Sequence, residues 1–357
     1  MKLSHKYSKQ VTTWLLIGTI MVFFQVIIGG ITRLTESGLS ITKWEVVSGT
    51  LPPLSDAAWQ EEFELYKQTP QYREINEGMS FSEFKFIYFW EYIHRLWARF
   101  MGFVFLIPFI YFMIKKQLDK TLLKDLGLVV VLAILAAIFG WIMVASGLIN
   151  RPWVNAYKLS IHLLIAFGVF VALLWAYLNA TYKLDIESKY QGRLGKWIGV
   201  LAGILFLQLF LGGVLSGMRA AVVYPTWPDM HGSYFPSVIF DLNQWNADNF
   251  NNYDSNEFMP ALIHFLHRNT AYLLLIVGLW IAVRLKTIGN NLQLPSFKLG
   301  SNFLLIALLI QVTLGILTVI NSVGSVPVLL GVLHQAGALM VISVLIYLFF
   351  IFKRKNI

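Results

Sequence analysis

Glu91-Tyr92-Ile93-His94-Arg95 stands near the start of an apolar run that reaches about Ile114. A glutamate and a histidine three positions apart share one face of a helix, about a turn from each other. The run is long enough to cross a bilayer, where an ionisable side chain is costly and marks a functional position. His267-Arg268 opens a later apolar run in the same way, and His162 and His334 open two more. The rest of the chain reads as a frame for these four imidazoles.

Of the 357 residues, 57% are hydrophobic and only 13% charged, with a mean hydropathy of +0.64. That charged share is about half the usual one, which excludes an ordinary soluble domain. The apolar residues fall in blocks of about twenty between polar stretches, the pattern of an all-α polytopic membrane protein. The net charge of +9 does not indicate nucleic acid, because the basic residues alternate with the apolar blocks and form no aromatic-interleaved patch. There are no cysteines, so thiolate metal sites, iron–sulfur ligation, disulfides and thiol nucleophiles are all excluded. The first apolar run follows Lys2, Lys6 and Lys9 but is long and lacks a small-residue cleavage site, so it is expected to be a retained helix.

Eight spans are predicted, at about 11–32, 87–114, 126–148, 158–180, 197–218, 259–284, 302–321 and 327–350. Lysines and arginines gather in the N-terminal tail, in 115–125, in 181–196, around Arg284 to Lys298, and at Lys353-Arg354-Lys355. These segments share one side, which the positive-inside rule makes cytoplasmic, with both termini inside an inner membrane. The long segments 33–86 and 219–258 lie outside and are mostly acidic. The first is expected to hold an amphipathic helix near Asp56–Lys67, and the second to be an irregular lid. His94, His162, His267 and His334 then fall within roughly the first two turns of spans 2, 4, 6 and 8, at similar depth near the outer face.

The chain repeats itself. Gln25-x-x-x-Gly29-Gly30 matches Gln208-x-x-x-Gly212-Gly213; Lys43-Trp44 before Leu51-Pro52 matches Thr226-Trp227 before Phe235-Pro236. His94-Arg95 matches His267-Arg268, and His162 matches His334. Two four-helix units of parallel orientation follow, 1–190 and 191–357, each supplying two histidines. The Gln-x-x-x-Gly-Gly segments read as close-packing helix contacts.

Two imidazoles from facing helices of a bundle suit a haem iron held on both faces. Zinc wants a tetrahedral set, and no H-x-x-x-H or H-E-x-x-H motif supplies one. Arg95 and Arg268, one residue after their histidines, can reach the interface and pair with propionates, or simply snorkel there. His264 lies where Glu91 lies in the first unit, while His231 and His5 read as solvated. Only the first unit has a carboxylate beside its histidine, so Glu91 marks the reacting pocket as proton acceptor or stabiliser of a cation. The plainer alternative makes Glu91 an ion-pair partner of Arg95 or Arg99.

These residues resemble the haem A synthase family in its long-loop branch. The likeness rests on Gly29-Gly30-Ile31-Thr32-Arg33-Leu34-Thr35 with Ser37-Gly38-Leu39-Ser40, on Glu91-Tyr92-Ile93-His94-Arg95, and on Gly140-Trp141-x-Met143-Val144-x-Ser146-Gly147-Leu148. Tyr157-Lys158-Leu159-Ser160-x-His162-Leu163, Pro225-Thr226-Trp227-Pro228-x-Met230, His267-Arg268 and His334-Gln335 add to it. The resemblance implies eight transmembrane helices in two pseudo-twofold-related four-helix bundles. It implies oxidation of the C8 methyl of haem O, through a hydroxymethyl, to the formyl of haem A for a terminal oxidase. His94 and His162 would flank the substrate haem O with Glu91 beside it, and His267 and His334 would ligate a haem b cofactor, four metal-ligating histidines in all. Some members of the family carry a cysteine pair in the first outer loop; this chain has none. Partners implied are haem O, an electron-transfer partner, the lipid bilayer and the farnesyltransferase that makes haem O. A non-catalytic di-haem electron carrier of cytochrome b type is the competing reading, but such carriers set ligands at two depths. A repeat-built transporter with a proton relay is a third, and it lacks evident broken helices.

Overall fold

In lipid a backbone must satisfy its own hydrogen bonds, so each apolar run closes into a helix. A computed structural model of the chain describes residues 2–3, 6–43, 51–149, 151–183 and 193–352. Among them, eight helices are long and apolar enough to cross a membrane. They are α1 (Lys9–Leu34), α2 (Phe81–Ile114), α3 (Lys120–Ile149), α4 (Ala156–Thr181), α5 (Leu194–Gly217), α6 (Phe258–Asn291), α7 (Pro295–Ile320) and α8 (Val328–Phe352). His5, Trp44, Lys189 and the basic 353–355 cluster lie outside the described residues.

Several helices run beyond their apolar windows, for identifiable reasons. Ser80 and Glu83 form a reciprocal capping box that starts α2 at Phe81, ahead of the expected 87. His94 is therefore nearly four turns into α2, and His267 about two and a half turns into α6; only His162 and His334 keep the expected two-turn position. Pro295 begins α7 seven residues early, where its missing N–H is no loss. Asn155 caps α4 by accepting from the amides of Tyr157 and Lys158.

The loops sort onto two faces. On one, Lys2–Leu3 pairs antiparallel with Tyr182–Lys183, and Asp119 after α2 receives Lys6 at 2.5 Å and the Tyr7 hydroxyl at 2.7 Å. On the other, Arg151 meets Asp254 at 2.8 Å, Gln71 donates to Glu36 O, and the Tyr157 hydroxyl donates to Phe250 O. Within 33–86 the expected helix Asp56–Lys67 is present, joined by Pro70–Glu74. Its Phe63 and Tyr66 bury against Phe84, Ile87 and Tyr88 of α2. Burial pushes the Tyr66 hydroxyl up to about 12, so it serves as a neutral donor to Gln71. The segment 219–258 holds only short helical pieces between turns, an irregular lid as expected.

The halves meet reciprocally. Glu36 and Arg219, equivalent in the repeat, both adopt left-handed backbone just past the ends of α1 and α5. The two side chains form an ion pair with each other. Arg33 likewise donates to the carbonyl of its own counterpart, Ser216, at 2.8 Å. Gly30 of α1 faces Gln335 of α8, as Gly213 of α5 faces Ser160 of α4. A single apolar core, from Val11 to Ile351, runs through both halves toward the Asp119 face.

The absence of cysteine makes single-cysteine reporters unambiguous. With Gln117→Cys, a membrane-impermeant maleimide should label only permeabilised cells; with Ser237→Cys, intact spheroplasts should label. Labelling in the opposite order would reverse the orientation argued from the basic loops.

Candidate functional site: two histidine pairs in glycine notches

Each of the four histidines projects from an even-numbered helix onto a glycine of the helix before it. A Cβ on Gly29 of α1 would lie 3.2 Å from His94 Nε2, and one on Gly140 of α3 would lie 3.1 Å from His162 Cε1. In the second half, Gly212 of α5 would meet His267 Cε1 at 3.1 Å, and Gly315 of α7 would meet His334 Cε1 at 2.9 Å. Any side chain larger than hydrogen would displace these rings. One turn before each glycine stands a second contact. Gln25 donates to His94 O at 3.3 Å, and the rings of His162, His267 and His334 approach the backbone of Ala136, Gln208 and Gln311.

His94 and His162 lie within electrostatic reach of each other, as do His267 and His334. All four rings are partly accessible rather than fully buried. Nδ1 of His162, His267 and His334 is buried without a hydrogen-bond partner.

Glu91 is 2% exposed and fully engaged. Its Oε1 meets Arg95 at 2.6 Å, while Oε2 accepts from Ser40 N at 2.8 Å, Ser40 Oγ at 2.7 Å and Ile41 N at 2.9 Å. Arg95 continues to the carbonyls of Ile41 and Lys43, both at 3.2 Å. The pair is thus a clasp that ties residues 40–43 to α2, one turn before His94. In the second half Arg268 makes the corresponding reach, donating to Pro228 O at 2.6 Å and Tyr234 O at 2.8 Å. His264 takes the place of Glu91 there, 3% exposed, near the Tyr224 ring and with Nδ1 unpaired. His231 is an exposed loop residue whose ring lies 5.1 Å from that of Tyr224, tilted by 47°.

A model of cytochrome oxidase assembly proteins, COX15-CtaA, matches residues 12–346. The chain belongs to the COX15-CtaA family. Its relatives include the heme A synthase of Flavobacterium psychrophilum, 40% identical over 96% of this chain and 98% of that protein. The heme A synthases of Nitrosospira multiformis and Parvibaculum lavamentivorans are 39% and 40% identical, each over 94% of this chain and 91% and 92% of theirs.

For this family member, the donor set fits a haem better than a lone metal ion. Among the described residues no three His, Cys, Asp or Glu side chains gather where they could hold an ion. Two imidazoles within electrostatic reach of each other offer the donor set that the two axial positions of a haem take. Sequence reasoning read the Gln-x-x-x-Gly-Gly segments as packing contacts alone. The second glycine of each does pack against the other half, but the first seats a histidine. It also passed over Gln311-x-x-x-Gly315 in α7, which repeats Gln25-x-x-x-Gly29 and could have been found by spacing.

Overpacking a tight site costs about 1–3 kcal/mol. Gly315→Ala should therefore lower the melting temperature of the detergent-solubilised protein more than Gly29→Ala does. Adding His334→Ala should recover most of that loss, because the clash needs the ring; additive losses would show that Gly315 acts otherwise.

Proposed function

We infer that the chain is a haem A synthase, a membrane oxidoreductase acting on haem O. The observation that carries this is the pairing of His94 with His162 and of His267 with His334, each ring seated at a glycine, in a chain about 40% identical to proteins of that name. Within this reading the first half, residues 1–190, takes the substrate, whose C8 methyl is oxidised to a hydroxymethyl and then to a formyl. The second half, 191–357, takes haem b. The distribution of basic residues favours cytoplasmic termini, with the haem sites toward the outer face.

His94 and His162 would hold haem O between α2 and α4, fixing its methyl relative to Glu91. His267 and His334 would hold haem b between α6 and α8, where it would supply one-electron redox capacity. Four donors fix the Glu91 carboxylate one turn from His94. A fixed negative charge there stabilises positive charge developing at the methyl carbon, and such pre-set electrostatics are a large term in catalysis. Arg95 spends its donors on Glu91 and two loop carbonyls, so we assign it to the clasp and not to a propionate. Arg268 keeps a buried Nε without a hydrogen-bond partner and is the better propionate contact. Haem O is too apolar to cross water freely, so direct transfer from the farnesyltransferase that makes it fits a pocket within the membrane.

Expression in a host that makes haem O, followed by haem extraction and chromatography, tests the reading. Haem A or its hydroxymethyl precursor should appear; haem B alone at two per chain would leave only an electron carrier. Glu91→Ala should keep haem b and lose conversion by at least about a hundredfold, the usual scale for removing a transition-state electrostatic contact. His334→Ala should lose haem b itself. Full conversion by Glu91→Ala would remove the carboxylate from the chemistry.

A further inference from the structure

The outer end of α6 is too polar to face lipid uncovered. Its stretch free of charged and amide side chains, residues 271–283, is thirteen residues long, about 20 Å of helix. The hydrocarbon core is about 30 Å thick, so about seven more residues of α6 lie within it. Arg284 and Lys286 end the stretch toward the basic loops, which leaves Arg268, Asn269 and Thr270 to make up the difference at the other end. Polar groups at that depth are costly unless protein covers them. In the repeat Asn269 and Thr270 correspond to Leu96 and Trp97, so α2 is apolar at these two positions.

The lid lies across this polar stretch. Phe265, Asn269, Tyr272, Ile276 and Val283 follow at spacings of three, four and seven, which sets them on one face of the helix. The inner part of that face is bare, with Ile276 and Val283 both exposed. The outer part carries the lid. The Phe235 ring rests 5.7 Å from that of Phe265, the Tyr234 hydroxyl donates to Asn269 Oδ1 at 3.2 Å, and Trp227 hydrogen-bonds Tyr272. Beside them Arg268 donates to Pro228 O at 2.6 Å and Tyr234 O at 2.8 Å. Tyr272 stands twelve residues from Arg284, about 18 Å along the axis, so Trp227 reaches well inside the hydrocarbon depth.

Irregular backbone at membrane depth has to satisfy its polar groups without water. Pro225, Pro228 and Pro236 have no N–H to satisfy. Met230 and Ser233 exchange backbone bonds at 2.8 and 3.3 Å, and Thr226 Oγ1 donates to Asp229 O while accepting from His231 N. The polar tip turns back outward, with the His231 ring 5.1 Å from Tyr224, whose hydroxyl donates to Glu257 just before α6. Past Ser237 the chain climbs to Trp245, whose ring lies 5.2 Å from that of Phe258, the first residue of α6. That level is about 39 Å from Arg284, where interfacial aromatic belts lie. Trp227 and Phe235 remain, 42% and 56% exposed, on the lipid side of the polar stretch. We propose that 226–228 and 234–236 form a re-entrant wall in the outer leaflet, with Trp227 and Phe235 touching lipid hydrocarbon and the polar stretch of α6 sealed behind them. This goes beyond the function proposed above and is independent of what the histidines bind.

The chain has no cysteine, so a nitroxide can be placed singly at Phe235→Cys in full-length protein in phospholipid nanodiscs. Ile276→Cys serves as the lipid-facing reference and Gln60→Cys, exposed on the helix Asp56–Lys67, as the aqueous one. Power saturation with oxygen and with a water-soluble nickel chelate reads the medium around each label. The oxygen-to-nickel accessibility ratio at position 235 should match that at 276 and exceed that at 60 several-fold. A second measurement uses the unaltered protein in vesicles of phospholipid bearing a diazirine midway along one acyl chain. After illumination, mass spectrometry should find lipid adducts on Trp227 or Phe235 as well as on the peptide holding Ile276. A ratio at 235 equal to that at 60 would place the lid in water and overturn the proposal. A label at 235 reached by neither collider would overturn it too, since protein, such as a second copy of the chain, would then cover this face. So would adducts at Ile276 with none on the lid.

Discussion

An imidazole inside a membrane protein must be placed against something, and here all four are placed against a missing side chain. The glycine at 29, 140, 212 or 315 lets the preceding helix come within van der Waals contact of the ring. Close approach of this kind is how membrane helices associate, since lipid offers no hydrophobic drive between them. The same contact therefore does two things: it docks α1 on α2, α3 on α4, α5 on α6 and α7 on α8, and it sets the direction of each ring. Ring orientation and helix packing cannot be altered separately, which explains why the scaffold around the sites is so regular where the loops are not.

The second glycine of each Gly29-Gly30 and Gly212-Gly213 pair extends this logic across the molecule. It faces away from the histidine and admits a polar side chain of the other half, Gln335 or Ser160, which in turn bonds a backbone carbonyl of α1 or α5, Val26 O or Phe210 O. Two adjacent residues thus hold an intra-unit contact and an inter-unit contact at one level of the membrane. Just past the ends of α1 and α5 the halves meet through Glu36 with Arg219 and Arg33 with Ser216, residues that occupy equivalent positions in the repeat.

Much of this was legible beforehand. Bilayer thickness and apolar run length located all eight spans, because the constraint acts on every residue of a run at once. The four histidines and their repeat were visible because imidazoles are rare in lipid. The helix Asp56–Lys67 was readable from its own amphipathic pattern. What could not be read was set by relations between helices. Nothing local shows that Gly315 faces His334, or that Phe105 sits where Gly278 sits until the repeat is aligned in space. The early start of α2 was hidden because Ser80 and Glu83 extend the helix beyond the apolar window that defined the span. Glu91 was read as facing a reacting pocket, yet its nearest partners are Arg95 and the backbone of residues 40–41.

That last placement changes what the carboxylate means. A residue one turn from His94 that also anchors residues 40–41 to α2 ties the position of its carboxylate to that of the loop. If Ser40 and Ile41 leave, the charge loses three of its four donors and its fixed position, so an open loop and a poised carboxylate exclude each other. In the second half the equivalent position is His264, whose partners are an aromatic ring and no loop amide, while Arg268 secures the lid. The contrast between position 91 and position 264 accompanies a second one between the halves: α6 and α7 pack along their length, and among the described residues α2 and α3 barely touch.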